Sequence, residues 1–470
     1  MTSHIAIARR LVAGAGLSMV ALVAACTDAT AVPDLNNVTT DALSGPHTRA
    51  TSAALLNGLL DADRRNMGFR HVVFAETMAR DVYNLDPAEN RFITELLTSS
   101  PDPGGFVGGG DWSGWFVAVR SAHTLLAYLP GVDDMSANER AAVAGLAQTF
   151  KAIELYHALE MRDSLGIPID LDRPAGTMPG EFRCKANDLA YLSALLDTAY
   201  TNLQASDAPF PVHLPPGFAL HGDFTTTSAL ARFNRGWKGK VEVYRALDHE
   251  HPDAAAFDRA ITALNASFLS LAQADTAIGV YYTYSAAVGE FENPVFAGTI
   301  HLNRAVGDSL QPGDRRGSQV TRVDPVGRYG VSTTYDPTFA SVEDVANDTR
   351  PIPLLANEEL VLLRAQAEIG KGDLAAALRD VNYVRENAGG LAPYASFATD
   401  SAAVSAVLYE KRYSLLLEGA QRLVDLRAYR RFNAAYLPRE FSNDAFVAAL
   451  PIPQAELNAR GVKSITPICQ

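Results

Sequence analysis

"EKRYSLLLEGAQRLVDLRAYRRF", residues 410–432, decides the reading of this chain. Tyr413, Leu416, Leu417, Ala420, Leu423 and Val424 recur at three- and four-residue spacing, the stripe of an amphipathic helix. The same stretch carries Glu418, Arg422, Asp425 and Arg427. Glu418 precedes Arg422 by four residues and Arg422 precedes Asp425 by three, so the spacing predicts ion pairs along one helix. Gly419 would cost roughly 1 kcal/mol relative to alanine inside a helix, which points to a close backbone contact there. We expect Glu418, Gly419, Arg422, Asp425 and Arg427 to form a structural network where one helical unit packs on the next, not a ligand site.

Upstream, "LLANEELVLLRAQAEIGKGDLAAALRDVNYVRENAGG" divides at Gly370-Lys371-Gly372. Either glycine can end a helix in the left-handed conformation, Asp373 can cap the next helix, and Gly389-Gly390 stops it. Ala365, Ala367, Ala375, Ala376 and Ala377 would let the two helices approach closely, as in tetratricopeptide units of about 34 residues. A second hairpin would span 403–432. Helical periodicity also marks 49–65, 113–129, 137–165, 186–204, 226–247 and 253–273. Between 276 and 350 it gives way to glycines, prolines and short β-prone runs. The expected fold is mainly α: tetratricopeptide-like helical hairpins, with a loop-rich insert at 276–350 containing a few short strands, between helical regions at 41–275 and 351–470.

The chain has 470 residues, 48% hydrophobic and 20% charged, which suits a globular protein with a large core. Forty Lys plus Arg against 53 Asp plus Glu give a formal charge of -13, which argues against a nucleic-acid partner. At the N-terminus, Arg9 and Arg10 precede the apolar run "LVAGAGLSMVALVAA", the pattern of a secretory signal over 1–25. The run is too short to span a bilayer comfortably. Val23-Ala24-Ala25-Cys26 looks like a bacterial lipobox, so Cys26 is expected to be lipidated and to hold the chain on a lipid bilayer. Residues 26–40 read as a flexible tether. Cys184 and Cys469 remain, and an exported chain with two cysteines permits one disulfide, although sequence leaves open whether the sulfurs meet.

The opening stretch also carries a resemblance. "YEKRYSLLLEGAQRLVDLRAYRRF" resembles the C-terminal signature of the SusD/RagB family of glycan-binding outer-membrane lipoproteins, with Ser414 where that family commonly has an acidic residue. "WSGWFVAVRSAHTLLAYL", "GLAQTFKAIELYHALEMRDSLGIPID", "FNRGWKGKVEVYRA", "ELVLLRAQAEIGKGDLAAALRDVNYVREN" and the closing "LPIPQAELNAR" agree in order, from about residue 34 to the end. The resemblance implies helical pairs supporting a loop-rich ligand face. It also implies a partner, a SusC-like TonB-dependent outer-membrane transporter over which the lipoprotein sits, and a ligand that is an oligosaccharide or another nutrient.

Sugar recognition calls for apolar surface against C–H faces with polar groups beside it, and loop aromatics are the natural candidates. These are Asp111 and Trp112 after "PDPGGFVGGG", Tyr281, Tyr282 and Tyr284 in "YYTY", and Arg328 and Tyr329 in "GRYG". Tyr282 and Tyr284 would share one face of a strand. For each aromatic the alternative is core filling. Trp115 and Trp237 lie on helical stripes and are expected in the core. In "DHEHPD", Asp248, His249, Glu250, His251 and Asp253 could in principle bind a metal, but a helix end before proline favours capping, so no metal and no cofactor is expected. His213 and His221 read as loop residues.

No G-x-S-x-G, H-E-x-x-H or G-x-x-x-x-G-K-[ST] motif occurs, so no catalytic residue is expected. The leading expectation is a cell-surface lipoprotein that captures oligosaccharides, or another nutrient, for a TonB-dependent importer. A helical-repeat outer-membrane scaffold that binds only protein is the alternative. A surface hydrolase using paired carboxylates is a third reading.

Overall fold

Helix Arg49–Asn66 begins at Thr48, whose hydroxyl accepts the Thr51 N–H, and helix Ala137–Arg162 begins in a capping box between Ser136 and Glu139. From these starts the frame builds by neighbour-to-neighbour packing. Arg49–Asn66 lies on Ser113–Tyr128, then Ala137–Arg162, Lys185–Leu203, Thr227–Ala246 and Ala255–Asn265 follow, each on the one before. Ala255–Asn265 meets Asn357–Gly370, which carries Leu374–Asn387 and Asp400–Ser414. Gln421–Ala428 packs back against Phe74–Met78, so a late helix closes on an early one. This computed structural model describes residues 43–469 apart from 99, 175, 297 and 338–348, and His47–Gln470 form one compact unit. Cys26, the signal segment and most of the tether lie outside the described residues.

The Gly370–Gly372 break falls where the sequence places it. Gly372 takes a positive φ, and the Asp373 carboxylate caps Leu374–Asn387 by accepting the Ala376 N–H. Ala365 and Ala377 are buried together in the helix–helix seam and Ala367 is buried, whereas Ala376 is half-buried and Ala375 faces solvent. Arg364 spans the hairpin to both oxygens of Asp380, at 2.6 and 2.9 Å.

The opening stretch is not one helix. Its apolar stripe is buried as expected, but the helix ends at Ser414 and a new one starts at Gln421. Leu417 turns to φ +64°, and its N–H is drawn to the Glu76 carboxylate at 3.3 Å. A tertiary contact thus overrides local helix propensity. Gly419 sits in this turn, packed so closely that an added Cβ would come within 2.5 Å of the Gln421 side chain.

The break also changes the ion pairs. Glu418 is no longer on the helix of Arg422, and Arg422 lies 3.7 Å from Asp81 instead. Asp425 pairs with Lys411 at 2.8 Å and accepts the Tyr244 hydroxyl and the Gln366 amide. Arg427 donates to the carbonyls of Ala448 and Glu160. These groups join distant segments, where the spacing had suggested neighbours on one helix. The predicted helix 253–273 is likewise shorter, Ala255–Asn265, because the Ser267 hydroxyl bonds the Leu264 carbonyl and accepts the Leu269 N–H, offering the backbone a turn.

Four antiparallel strand pairs decorate the frame. Val82–Asn84 pairs with Ile300–Leu302, and Ile167–Pro168 with Phe182–Arg183. Gly279–Tyr282 pairs with Ile352–Ala356, and Val320–Arg328 with Val331–Pro337. The insert is therefore stitched to segments before and after it. Arg316 adds a buried anchor, bonding Asp314 and, at 2.6 Å, Glu410, which also holds Arg385 at 3.0 Å. Cys184 and Cys469 form a disulfide with Cα atoms 5.2 Å apart. Beside it Ile468 exchanges backbone hydrogen bonds with Phe182 and Cys184.

Candidate functional site

The strand Gly279–Tyr282 and the residues after it bring three tyrosines to one place. Tyr281, Tyr282 and Tyr284 all line a cavity of about 610 Å³, within the range typical of small-molecule sites. Irregularity in the ladder between Val280 and Tyr281 helps aim successive side chains into it. Phe150 and the turn Pro215–Phe218 complete the apolar wall, while Asn57, Asp61 and Arg64 reach in from helix Arg49–Asn66. Gly217 makes this closure feasible, because a Cβ there would fall 1.8 Å from the Tyr281 carbonyl oxygen.

The tyrosines differ in role. Tyr282 and Tyr284 are buried, and the Tyr282 hydroxyl donates to Asp63 at 2.8 Å. Tyr281 is half-buried, its ring 4.7 Å from His221 and its hydroxyl donating to the Ala277 carbonyl. Burial pushes the Asp63 carboxyl up to about 7, against the hydrogen bond from Tyr282. Burial and the neighbouring Asp63 raise Glu154 well above the carboxylate range. A buried acid pair therefore lies behind Tyr282, outside the cavity lining. Arg64 bonds Asp61 and the Thr283 carbonyl, so the mouth is polar where the floor is aromatic.

Asp111 and Trp112 lie elsewhere. Asp111 is buried, and both its oxygens are engaged, one accepting the Trp115 indole N–H at 2.8 Å and the other 3.0 Å from His71 Nδ1. His71 Nε2 faces Glu160, which His157 Nδ1 also contacts at 2.7 Å. Burial alone would lower His71, but Asp111 and Glu160 outweigh it and raise the imidazole to about 9, whereas burial takes His157 down to about 4. Asp111 thus serves a buried ionic network. Trp112 stacks on Phe182 at 5.9 Å, with the Arg162 guanidinium over its ring. One side of it borders a cleft with Arg65, Arg70 and Phe291, and another a groove with Phe116 and Pro174.

Arg328 and Tyr329 occupy a third place, the tip of the hairpin Val320–Pro337. Tyr329 and Gly330 both take positive φ, the backbone of a tight hairpin turn. Arg328 is exposed, while Tyr329 donates to the Asp86 carbonyl and packs beside Tyr83, Leu85 and Ile93. Trp115 and Trp237 are core residues. In "DHEHPD", Asp253 pairs with Arg245 and Arg259, the His249 imidazole meets the Ala428 carbonyl, and Asp248 accepts the Glu250 N–H. Asp253, His249 and Asp248 are thus each spent on separate partners. His251 lies 3.5 Å from Cys469 Sγ, and the His221 ring lies tilted against Tyr281.

The seven candidate residues therefore fall into three places: Tyr281, Tyr282 and Tyr284 line one cavity, Asp111 and Trp112 border another, and Arg328 and Tyr329 sit at a hairpin tip. Missed by sequence reading were Asn57, Asp61 and Arg64, which look like the solvated face of a helix, and Phe150, which looks like core. The Pro-Pro-Gly-Phe turn at 215–218 was the one local signal available.

The frame is one of helical hairpins carrying a loop-rich face with an aromatic-lined cavity. No family model and no curated protein matches this chain. Among solved structures it is similar to a SusD superfamily protein from Bacteroides fragilis, at 15% identity and a TM-score of 0.67, covering 88% of this chain and 97% of that one. Bacteroides fragilis NanU gives 14%, 0.67, 93% and 100% in the same terms. Surface glycan-binding protein A from Bacteroides uniformis gives 15%, 0.63, 86% and 97%. The chain has the SusD-type fold.

Proposed function

We propose that this protein is a cell-surface, lipid-anchored binding protein that captures oligosaccharides and hands them to a SusC-like TonB-dependent outer-membrane transporter. The observation that carries the reading is the cavity under Tyr281, Tyr282 and Tyr284, where aromatic walls meet Asn57, Asp61 and Arg64 at the rim. Flat apolar surface for sugar C–H faces and polar groups for hydroxyls are the two things a saccharide site needs. The fold supports it, since one structure of this shape is a surface glycan-binding protein. The lipobox-like Val23–Cys26 supports the anchor. Among the described residues no helix is long and apolar enough to cross a membrane. The protein acts by binding, and the buried Asp63 holds the Tyr282 ring in place by accepting its hydroxyl.

Affinity purification of the tagged protein from its native membranes, followed by mass spectrometry, tests the partner. A stoichiometric TonB-dependent barrel is expected. Recovery of assembly or periplasmic proteins without that barrel would favour a protein-binding scaffold on the same fold.

A further inference from the structure

The 610 Å³ cavity has a neighbour of different charge. A second cleft, of about 510 Å³, lies under Arg65, Arg70, Asp111, Trp112 and Phe291. The two share a wall. The Phe291 ring is gripped by Arg64 on the first cavity's rim, 4.2 Å from its centroid, and by Arg65 on the second's, at 4.5 Å. The first cavity sets Asp61 and Glu290 against Arg64 and so leans acidic, like the chain as a whole. The second sets two arginines against one carboxylate, Asp111, and that carboxylate is buried and turned to His71 and Trp115.

Arg65 keeps a partner, Asp61 at 2.7 Å, with more than half of its side chain exposed. Arg70 is exposed, and among the described residues it has neither an ion pair nor a hydrogen bond. A ligand that meets Arg70 therefore breaks no internal contact of that side chain, and the new pair has only its desolvation to offset. At physiological salt the screening length is about 8 Å, so an anion in this cleft is governed by the arginines beside it more than by the chain's distant negative charge. Trp112 and Phe291 supply apolar surface next to those guanidinium groups, the combination that suits a ring bearing a carboxylate.

We propose that this cleft is a subsite for an anionic sugar, a uronate residue of an acidic oligosaccharide, with Arg70 as the carboxylate's main partner and Arg65 as its second. This rests on the glycan-binding reading and adds the class of glycan. The neutral residues of the same chain would lie toward the tyrosine cavity, across Phe291.

Calorimetry with trigalacturonate, the matching neutral trisaccharide and free acetate tests it. The expected result is tighter binding of trigalacturonate than of the neutral trimer, weakening from about 0.05 to about 0.5 M salt, and negligible binding of acetate. Arg70→Ala should lose at least roughly tenfold in affinity for trigalacturonate, the scale of one charge-assisted hydrogen bond, and leave the neutral trimer's affinity unchanged. Lys463→Ala, an exposed charge elsewhere, should change neither. Equal affinity for acidic and neutral trimers, or an Arg70→Ala protein that binds trigalacturonate as before, would overturn the subsite while leaving a glycan-binding protein. Acetate binding as tightly as the trimer would reduce the cleft to a simple anion site. No binding of any saccharide would remove both readings.

Discussion

The C-terminal hairpins and the loop-rich face handle charge in opposite ways. Between 357 and 428, charges are buried and matched. Glu410 holds Arg316 and Arg385, Asp380 holds Arg364, and Asp425 holds Lys411 with Tyr244 and Gln366. Around 281–294 and the neighbouring Arg65–Arg70 segment, charged and aromatic groups line open cavities, and among the described residues Arg70 has no internal partner. The first arrangement fixes one structure, since a lone buried charge is costly. The second leaves groups available to something else. The same residue types thus mean different things in the two regions, and substitutions can separate stability from binding.

The largest effect should come from breaking a matched network. Glu410→Ala leaves Arg385 without its carboxylate and Arg316 with Asp314 alone, and we expect a loss of about 3 kcal/mol in denaturant unfolding, with ligand affinity per folded molecule unchanged. An affinity loss in the folded fraction would blur the comparison. Next is the tail clamp. Cys469→Ala opens a link between residues 285 apart in sequence, and the loss should be about 2 kcal/mol, at the low end for a disulfide because the freed tail can fray without unfolding the frame. Faster proteolysis confined to the last ten or so residues would sharpen this picture.

A smaller and pH-dependent effect should appear beneath the tyrosines. Asp63 has a folded-state value raised to about 7 from 3.8, so folding favours its protonated form. Stability then falls as pH rises from about 4 to about 7 and is level above, where Asp63 is ionised in both states. Asp63→Asn keeps an acceptor for Tyr282 and removes that fall, giving a gain of about 1 kcal/mol at pH 7 and none at pH 4, since relaxation and water entry reduce what burial alone would give. Melting temperatures of both proteins across this range check it. A gap that stays constant with pH would contradict the assignment.

The contrast also explains what could be read from residues alone. Helices such as Ala137–Arg162 and the break at Gly370–Gly372 follow from periodicity and cap chemistry, which are local. The turn at 415–420 does not, because Glu76, more than 300 residues away, takes the Leu417 N–H. The ion pairs of Arg422 and Asp425 were misplaced for the same reason: their partners Asp81, Lys411 and Tyr244 are set by packing, not spacing. Among site residues, the YYTY tyrosines were legible as aromatics in a loop-rich stretch. Asp111 was not, since nothing local shows that His71 and Trp115 will claim its carboxylate. Arg64 and Asp61 sit at ordinary i,i+3 spacing on a helix, and only tertiary structure turns that face into a cavity rim.

We propose that ligand binding belongs to the tyrosine cavity and not to the helical hairpins. Tyr281 is the tyrosine to remove, because it is only half-buried and its loss should cost the fold less than about 1 kcal/mol. Calorimetric titration of wild type and Tyr281→Ala with the best-binding oligosaccharide from a glycan screen is the most direct test. We predict roughly tenfold weaker binding by a variant that melts within a few degrees of wild type. Unchanged affinity in Tyr281→Ala, with binding abolished instead by a hairpin substitution that leaves the protein folded, would contradict the account.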